Sequence, residues 1–149
     1  AVAFLQKKLN LDADGISDLL NKKSGVLGIT QLSSDMREVE AACEKGDPKA
    51  ILSMKMYNYR IKKYIGAYAA AMGGVDIIVF TAGVGENQWS TRQEACEGLE
   101  FLGVKIDKEL NKGLRGVEKV ISTADSKVTV CIIPTDEELM IATDTMDLL

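Results

Sequence analysis

Between residues 47 and 87 the hydrophobic period of the chain changes from helix to strand and back to helix, and that switch limits the folds open to it. Asp47 followed by Pro48 reads as an N-cap with proline at the first helical position. Met54, Tyr57, Ile61, Tyr64, Ile65, Tyr68 and Met72 then fall on one stripe of a 3.6-residue period, which reads as core packing, and Lys55, Lys62 and Lys63 occupy the remaining arc. Gly73-Gly74 ends this helix. Residues 76–81 (Asp-Ile-Ile-Val-Phe-Thr) form a continuous apolar run of strand length, typical of a strand covered on both faces. The run leads into Ala82-Gly83-Val84-Gly85-Glu86-Asn87, and a helix is expected over 90–99.

The flanking segments extend the pattern. Residues 2–9 carry apolar Val2, Leu5 and Leu9 at helical spacing, and 14–21 read as a second short helix with Ile16, Leu19 and Leu20 on one side. Residues 22–33, containing Gly25 and Gly28, read as a loop or short extended stretch. Asp35 and Glu38 have the spacing of a capping box, opening a helix that stops at Gly46. Downstream, Gly98 and Gly103 punctuate the chain and 108–114 is expected to be a short helix. Residues 119–123 and 128–133 read as strands joined by Ala124-Asp125-Ser126, with Pro134 ending the second. Thr135 and Glu138 repeat the capping-box spacing ahead of a C-terminal helix through Leu139, Ile141 and Ala142. Strand and helix alternate through the later half, so the fold class is α/β.

Composition narrows the chemistry. At 149 residues one domain is expected, and 46% hydrophobic with 27% charged residues describes a folded chain with a core. The net charge is −4 and no basic block occurs, which argues against nucleic acid as a partner. The absence of histidine removes Ser-His-Asp, Cys-His and the common zinc chemistries from this chain. Cys43, Cys96 and Cys131 are scattered, odd in number and without a CxxC, and are expected to be buried, reduced thiols of a cytoplasmic protein. No charge-free apolar run reaches the roughly 18–20 residues that span a bilayer. The nearest, 64–85, is broken by Gly73-Gly74 and Asp76. Ala1 opens directly into helical periodicity, without initiator Met or leader, as expected of a piece of a longer chain.

Three segments are candidates for chemistry. Glycines at Gly83 and Gly85 let backbone approach a ligand, and a following helix start offers N–H groups; the same residues also suit a plain tight turn. The segment matches neither the Walker pattern nor a complete GxGxxG. Pro134-Thr135-Asp136-Glu137-Glu138 follows a strand, where carboxylates suit Mg²⁺ or simply complement a helix dipole. Ser33-Ser34-Asp35-Met36-Arg37 could clasp a nucleoside, or be a capped helix with an exposed arginine.

Taken in order, several motifs resemble the C-terminal domain of the acetate kinase (acetokinase) family. They are Asn21-Lys22-Lys23-Ser24-Gly25-Val26-Leu27-Gly28-Ile29, Ser33-Ser34-Asp35-Met36-Arg37, the run from Tyr64 through Gly73-Gly74-Val75-Asp76, Val79-Phe80-Thr81-Ala82-Gly83-Val84-Gly85-Glu86-Asn87, Cys96-Glu97-Gly98-Leu99-Glu100-Phe101-Leu102-Gly103, and residues 134–139. The resemblance spans nearly the whole chain. It implies a partial ribonuclease-H-like domain of the actin-like ATPase superfamily, with a helical insertion in its N-terminal half. It implies a reversible, Mg²⁺-dependent phosphoryl transfer between ATP and acetate, giving ADP and acetyl phosphate, in a cytoplasmic homodimer. Asp35, Met36 and Arg37 would line the adenosine side of the pocket, Gly83, Val84, Gly85, Glu86 and Asn87 a second nucleotide loop, and Glu137 would help hold Mg²⁺.

Residues 1–149 would then be the C-terminal part of the second, nucleotide-binding domain. The N-terminal domain, the first core strands and the family's catalytic residues would lie upstream, so no catalytic residue is assigned here and the chain alone is expected not to turn over. The missing strands would leave edges open to self-association. Val84 and Asp136 depart from the usual Ile and Asn, and Gln88-Trp89 from smaller residues; Asp136 could tighten metal binding or only cap a helix. A propionate or butyrate kinase of the same family, or a non-catalytic nucleotide-binding domain, are the rival readings.

Overall fold

The computed structural model of the chain describes residues 1–148, and Leu149 lies outside the described residues. The chain divides into two compact units, Ala1–Tyr57 and Asn58–Leu149.

The first unit is helical: α1 (Val2–Leu9), α2 (Ala13–Lys22), α3 (Gly25–Thr30), α4 (Met36–Glu44) and the beginning of α5 (Pro48–Met72). Local chemistry sets most of these boundaries. Asp12 caps α2 by accepting the Gly15 N–H at 2.7 Å, and Asp47 caps α5 by accepting the N–H groups of Lys49 and Ala50 at 2.8 and 2.9 Å. Helix α3 corrects the loop expected over 22–33. Gly25, at φ 62, sits at its start, in a backbone region glycine enters without strain, so a residue read as a breaker opens a turn of helix instead. Val39, Ala50 and Met54 form the core of this unit, with Val26, Met36, Ala42 and Cys43 packed against it.

In the second unit, β1 (Ile77–Phe80) is followed by α6 (Ala82–Asn87), α7 (Trp89–Cys96), a 3-10 turn at Glu100–Leu102, α8 (Lys108–Asn111), β2 (Lys119–Val120), β3 (Thr129–Ile132) and α9 (Glu137–Asp147). The three strands make one mixed sheet in the order β1-β3-β2. β1 runs parallel to β3 with Ile77 opposite Thr129, and β2 runs antiparallel with Lys119 opposite Ile132. Ile78, Phe80, Ala95, Cys96, Leu99, Val104, Ile121, Val128, Val130 and Ile132 form the core, supported by Ile61 and Ile65 from α5.

Two expectations about burial are corrected. Strand β1 is covered on one face: Ile78 and Phe80 are buried, while Ile77 and Val79 are exposed. Along α5, Tyr64, Tyr68 and Met72 face solvent, and the inward positions are Asn58, Ile61, Ile65 and Ala69. The helical period was legible, but the rotation of its stripe was set by packing against the sheet of the second unit, which a single-helix pattern does not contain. Of the cysteines, Cys96 and Cys131 are buried and Cys43 is half-buried; all three are thiols, and burial pushes Cys96 up to about 12. No helix among the described residues is long and apolar enough to cross a membrane.

Candidate functional site

Because β1 and β3 are parallel, with Phe80 opposite Ile132, the segments leaving their carboxyl ends emerge side by side. This end of a parallel pair is where α/β sheets gather ligands. The pairing continues past the strands, where the Ile133 N–H donates to the Phe80 carbonyl at 3.0 Å. Glu86 then ties the two segments together across 49 residues of sequence. Its Oε1 accepts the Thr135 N–H at 2.8 Å and the Thr135 hydroxyl at 3.1 Å. Between them opens a cleft of about 510 Å³ lined by Ala82, Gly83, Thr135, Asp136, Glu137 and Glu138. Gly83 and Glu137, assigned from sequence to separate roles, therefore face one space.

The glycine segment is itself helix α6, with α7 following directly, where the sequence suggested a turn and a later helix start. Its two glycines do different work. A Cβ on Gly85 would lie 3.1 Å from the Phe80 carbonyl carbon, so the absence of a side chain there lets α6 fold back onto the end of β1. A Cβ on Gly83 would meet nothing within 4 Å, so the fold does not demand glycine and the backbone is open to an approaching group. Ala82 joins strand to helix at φ 57, a left-handed conformation that costs a non-glycine residue about 1–2 kcal/mol, and such strain gathers at functional sites. Val84 is half-buried, and Asn87 donates its side-chain amide to the Gly83 carbonyl at 2.9 Å, closing the turn from within.

The acidic segment is organised differently from its sequence pattern. Thr135 is held by Glu86, and Asp136 is the N-cap of α9, its Oδ1 accepting the Leu139 N–H at 3.0 Å. The expected Thr135–Glu138 capping box is thus replaced by an aspartate cap, an ordinary job for the residue whose role the sequence left open. Glu137 and Glu138 occupy the first turn of α9, beside the cleft.

Beneath α6 lies a residue that no sequence motif singled out. Arg92 of α7 is fully buried, and its partners are carbonyl oxygens and an amide rather than a carboxylate. Nη1 donates to the carbonyls of Gly85 (2.8 Å) and Glu86 (2.9 Å), Nη2 to that of Leu114 (2.8 Å), and Nε to Asn111 Oδ1 (2.8 Å). Asn111, also fully buried, donates its amide to the Trp89 carbonyl at 2.8 Å. Burial, with the nearby charge of Arg115 adding to it, lowers the Arg92 guanidinium to about 10, still protonated at neutral pH.

In the first unit, Asp35 caps α4 by accepting the Arg37 N–H at 2.9 Å, and its own N–H donates to Ser33 Oγ at 3.0 Å. Ser33 rather than Glu38 satisfies that amide, so the capping box expected of Asp35 and Glu38 becomes an Asp cap backed by a serine. The Arg37 guanidinium, largely exposed, folds onto the same carboxylate with Nη2–Oδ2 at 2.6 Å. That hydrogen bond, reinforced by the Arg37 amide, holds Asp35 at about 2. Met36 instead turns toward the core cluster of the unit. The three residues assigned together to a nucleoside are divided between an exposed ion pair and a packing position.

The cleft of the second unit has a charge problem that indicates what it can hold. Three carboxylates and no basic side chain line it. A bare phosphate placed there meets like charge, whereas a phosphate carrying a divalent cation does not. No group of three or more metal-ligating side chains converges among the described residues. Mg²⁺ keeps most of its waters and is often held by one or two carboxylates with the phosphates completing the shell, so one carboxylate of the Glu137 type fits that donor set.

The fold and cleft define an α/β protein with a small mixed sheet and an open groove at the carboxyl ends of its parallel strands. A profile described as "Acetokinase family" matches residues 1–143, and the chain belongs to that family. It is 69% identical to the acetate kinase of Phocaeicola vulgatus over 149 residues, which is 100% of this chain and 37% of that protein. The crystal structure of Porphyromonas gingivalis acetate kinase superposes with a TM-score of 0.92 at 59% identity, covering 98% of this chain and 37% of that one. A propionate kinase from Francisella tularensis superposes at 0.82 with 36% identity, over 94% of this chain and 35% of its own. The chain thus spans 37% of the length of the acetate kinases it matches.

Proposed function

We propose that this chain is the C-terminal, nucleotide-binding portion of an acetate kinase, an ATP:acetate phosphotransferase that forms acetyl phosphate and ADP reversibly. In this reading residues 1–149 are the later part of a ribonuclease-H-like second domain with a helical insertion in its first half, and the intact enzyme is a cytoplasmic homodimer. Gly83, Val84, Gly85, Glu86 and Asn87 carry the phosphate-side loop, Asp35, Met36 and Arg37 the adenosine side, and Glu137 supports Mg²⁺ on the phosphates. The observation that carries the reading is the meeting of open Gly83 and acidic Glu137 in one cleft at the ends of parallel strands. Bound Mg²⁺ would neutralise phosphate charge; the chain's own part is to orient the nucleotide along α6 and accept the cation at α9. Phosphoryl transfer also needs positioned cationic groups on the transferring phosphate. The cleft offers none, so the chain by itself is inactive in this reading.

Calorimetric titration with Mg-ADP tests it. Saturable binding is expected, abolished by EDTA and weakened about tenfold or more by Glu137→Ala and by Gly83→Val, the latter filling open backbone space. Absence of binding in a folded sample overturns the nucleotide assignment. The likeness to a propionate kinase favours propionate or butyrate as the rival acyl group; the substrate profile of the longer gene product separates them. The same assay distinguishes a kinase from a non-catalytic nucleotide-binding domain.

A further inference from the structure

We propose that Arg92 is a positioning residue that holds both walls of the cleft, although it lines neither. The proposal rests on the nucleotide-loop reading of α6 for its functional meaning, and on the geometry of the second unit for its substance.

A buried guanidinium is costly unless its donors are satisfied, and neutral carbonyls are an unusual set of partners for it. Gly85 and Glu86 belong to the last turn of α6, whereas the α8 side is reached through the Asn111 side-chain Oδ1 and the Leu114 carbonyl, three residues past the end of α8, with the Asn111 carbonyl at 3.5 Å. The final carbonyls of a helix have no partner within it and carry its negative dipole end. Arg92 therefore plugs the C-terminal end of α6 and ties it to the segment 111–114 at the end of α8, its planar fork matching oxygens that a single-point ammonium could not reach together.

From there the constraint reaches the cleft in two steps. The Glu86 carbonyl is fixed by Arg92 and by the Gly116 N–H at 3.2 Å, while the Glu86 carboxylate holds Thr135. Thr135 immediately precedes the Asp136 cap and Glu137. Along α6 in the other direction, Asn87 closes onto the Gly83 carbonyl. Gly83 and Glu137 are thus referred to one buried point, and the strained Ala82 is held between β1 and a helix whose far end cannot shift.

The test uses Arg92→Lys and Arg92→Met, with Val128→Ala as a buried core control that makes no hydrogen bond to Arg92. Amide hydrogen exchange is followed by NMR below the melting point of every variant, beside Mg-ADP calorimetry. In the wild type, the amides of 85–87 should exchange more slowly than those of exposed turns. In Arg92→Lys they should accelerate about tenfold or more while β3 keeps its protection, and Mg-ADP affinity should fall by about the same factor. Val128→Ala should instead loosen the sheet without singling out 85–87. Fast exchange of 85–87 in the wild type overturns the proposal even if neither variant folds. So does unchanged local exchange in Arg92→Lys, or the same local pattern in Val128→Ala. If the wild type exchanges as expected but binds no Mg-ADP, the nucleotide reading falls and the exchange pattern alone decides the role of Arg92.

Discussion

The two segments assigned to a nucleotide, 35–37 and 82–87, are built on opposite principles. Asp35 and Arg37 are held by each other, through bonds between residues two apart and largely in solvent. The α6 segment is held by partners 6, 30 and 49 residues away: the guanidinium of Arg92, the amide of Gly116 and the backbone of Thr135. Exposed pairs of the first kind contribute little to stability and exchange partners readily. The network of the second kind is anchored on the buried Arg92 and reaches the surface at the exposed Glu86–Thr135 bonds, and such long-range anchoring fixes a shape. The difference gives the two segments different anchoring: α6 is tied to distant parts of the second unit, and the Asp35–Arg37 pair is held by its own neighbours.

The largest effect that sharpens this contrast lies inside α6. Gly85→Val places carbon against the Phe80 backbone and should destabilise the chain by about 1–3 kcal/mol, as overpacking does. Gly83→Val enters open space and should leave stability within about 1 kcal/mol while weakening Mg-ADP binding about tenfold or more. Urea midpoints with calorimetry check both. Equal losses of stability would mean that Gly83 also serves the fold, and the division between a packing glycine and a ligand glycine would break.

The same contrast explains what was legible beforehand. Asp47-Pro48, Asp35 and the long α5 announce themselves because their determinants lie within a turn of one another. The acidic segment follows a strand as its pattern indicates, but the cap expected of Thr135 falls to Asp136, because the bond that engages Thr135 comes from Glu86 far upstream. Gly83 and Gly85 were visible as a pair and indistinguishable as individuals, since what separates them is the backbone of Phe80. The inward face of α5 differs from the sequence stripe because tyrosines satisfy a hydrophobic period whether or not a sheet covers them, and here Asn58 and Ala69 are buried while Tyr64 and Tyr68 are not. Arg92 and Asn111 leave no local signature at all. A lone arginine in a helix ordinarily points to solvent, and only the tertiary approach of the end of α6 and the segment 111–114 makes this one central.

A smaller effect tests the acidic wall. Asp136→Ala removes the α9 cap and should cost about 1 kcal/mol, whereas Asp136→Asn, which keeps an accepting oxygen, should be nearly neutral. If Asp136 served only as a cap, Asp136→Asn would also leave Mg-ADP affinity unchanged. A loss of affinity without a loss of stability would move Asp136 into the cation's shell beside Glu137.

The smallest effect concerns Asp35, and it bears directly on whether 35–37 rearranges. The Arg37 guanidinium and then its amide hold the Asp35 carboxyl at about 2, below the ordinary 3.8. A carboxylate with a depressed folded-state value contributes stability above the ordinary value and loses it as pH falls toward the folded one, so any contribution of this pair fades between about pH 4 and 2. Carboxyl NMR of Asp35 reads this without a melt. Arg37→Ala should return the value part of the way to 3.8, because the backbone amide at residue 37 still donates. No change would mean that the pair does not persist in solution. Saturating Mg-ADP then supplies the decisive comparison. If Arg37 leaves Asp35 to engage the nucleotide, the Asp35 value should climb in the wild type as it does in Arg37→Ala. If it stays at about 2 in the bound state, the ion pair is a rigid cap and Asp35 and Arg37 do not contact the nucleoside.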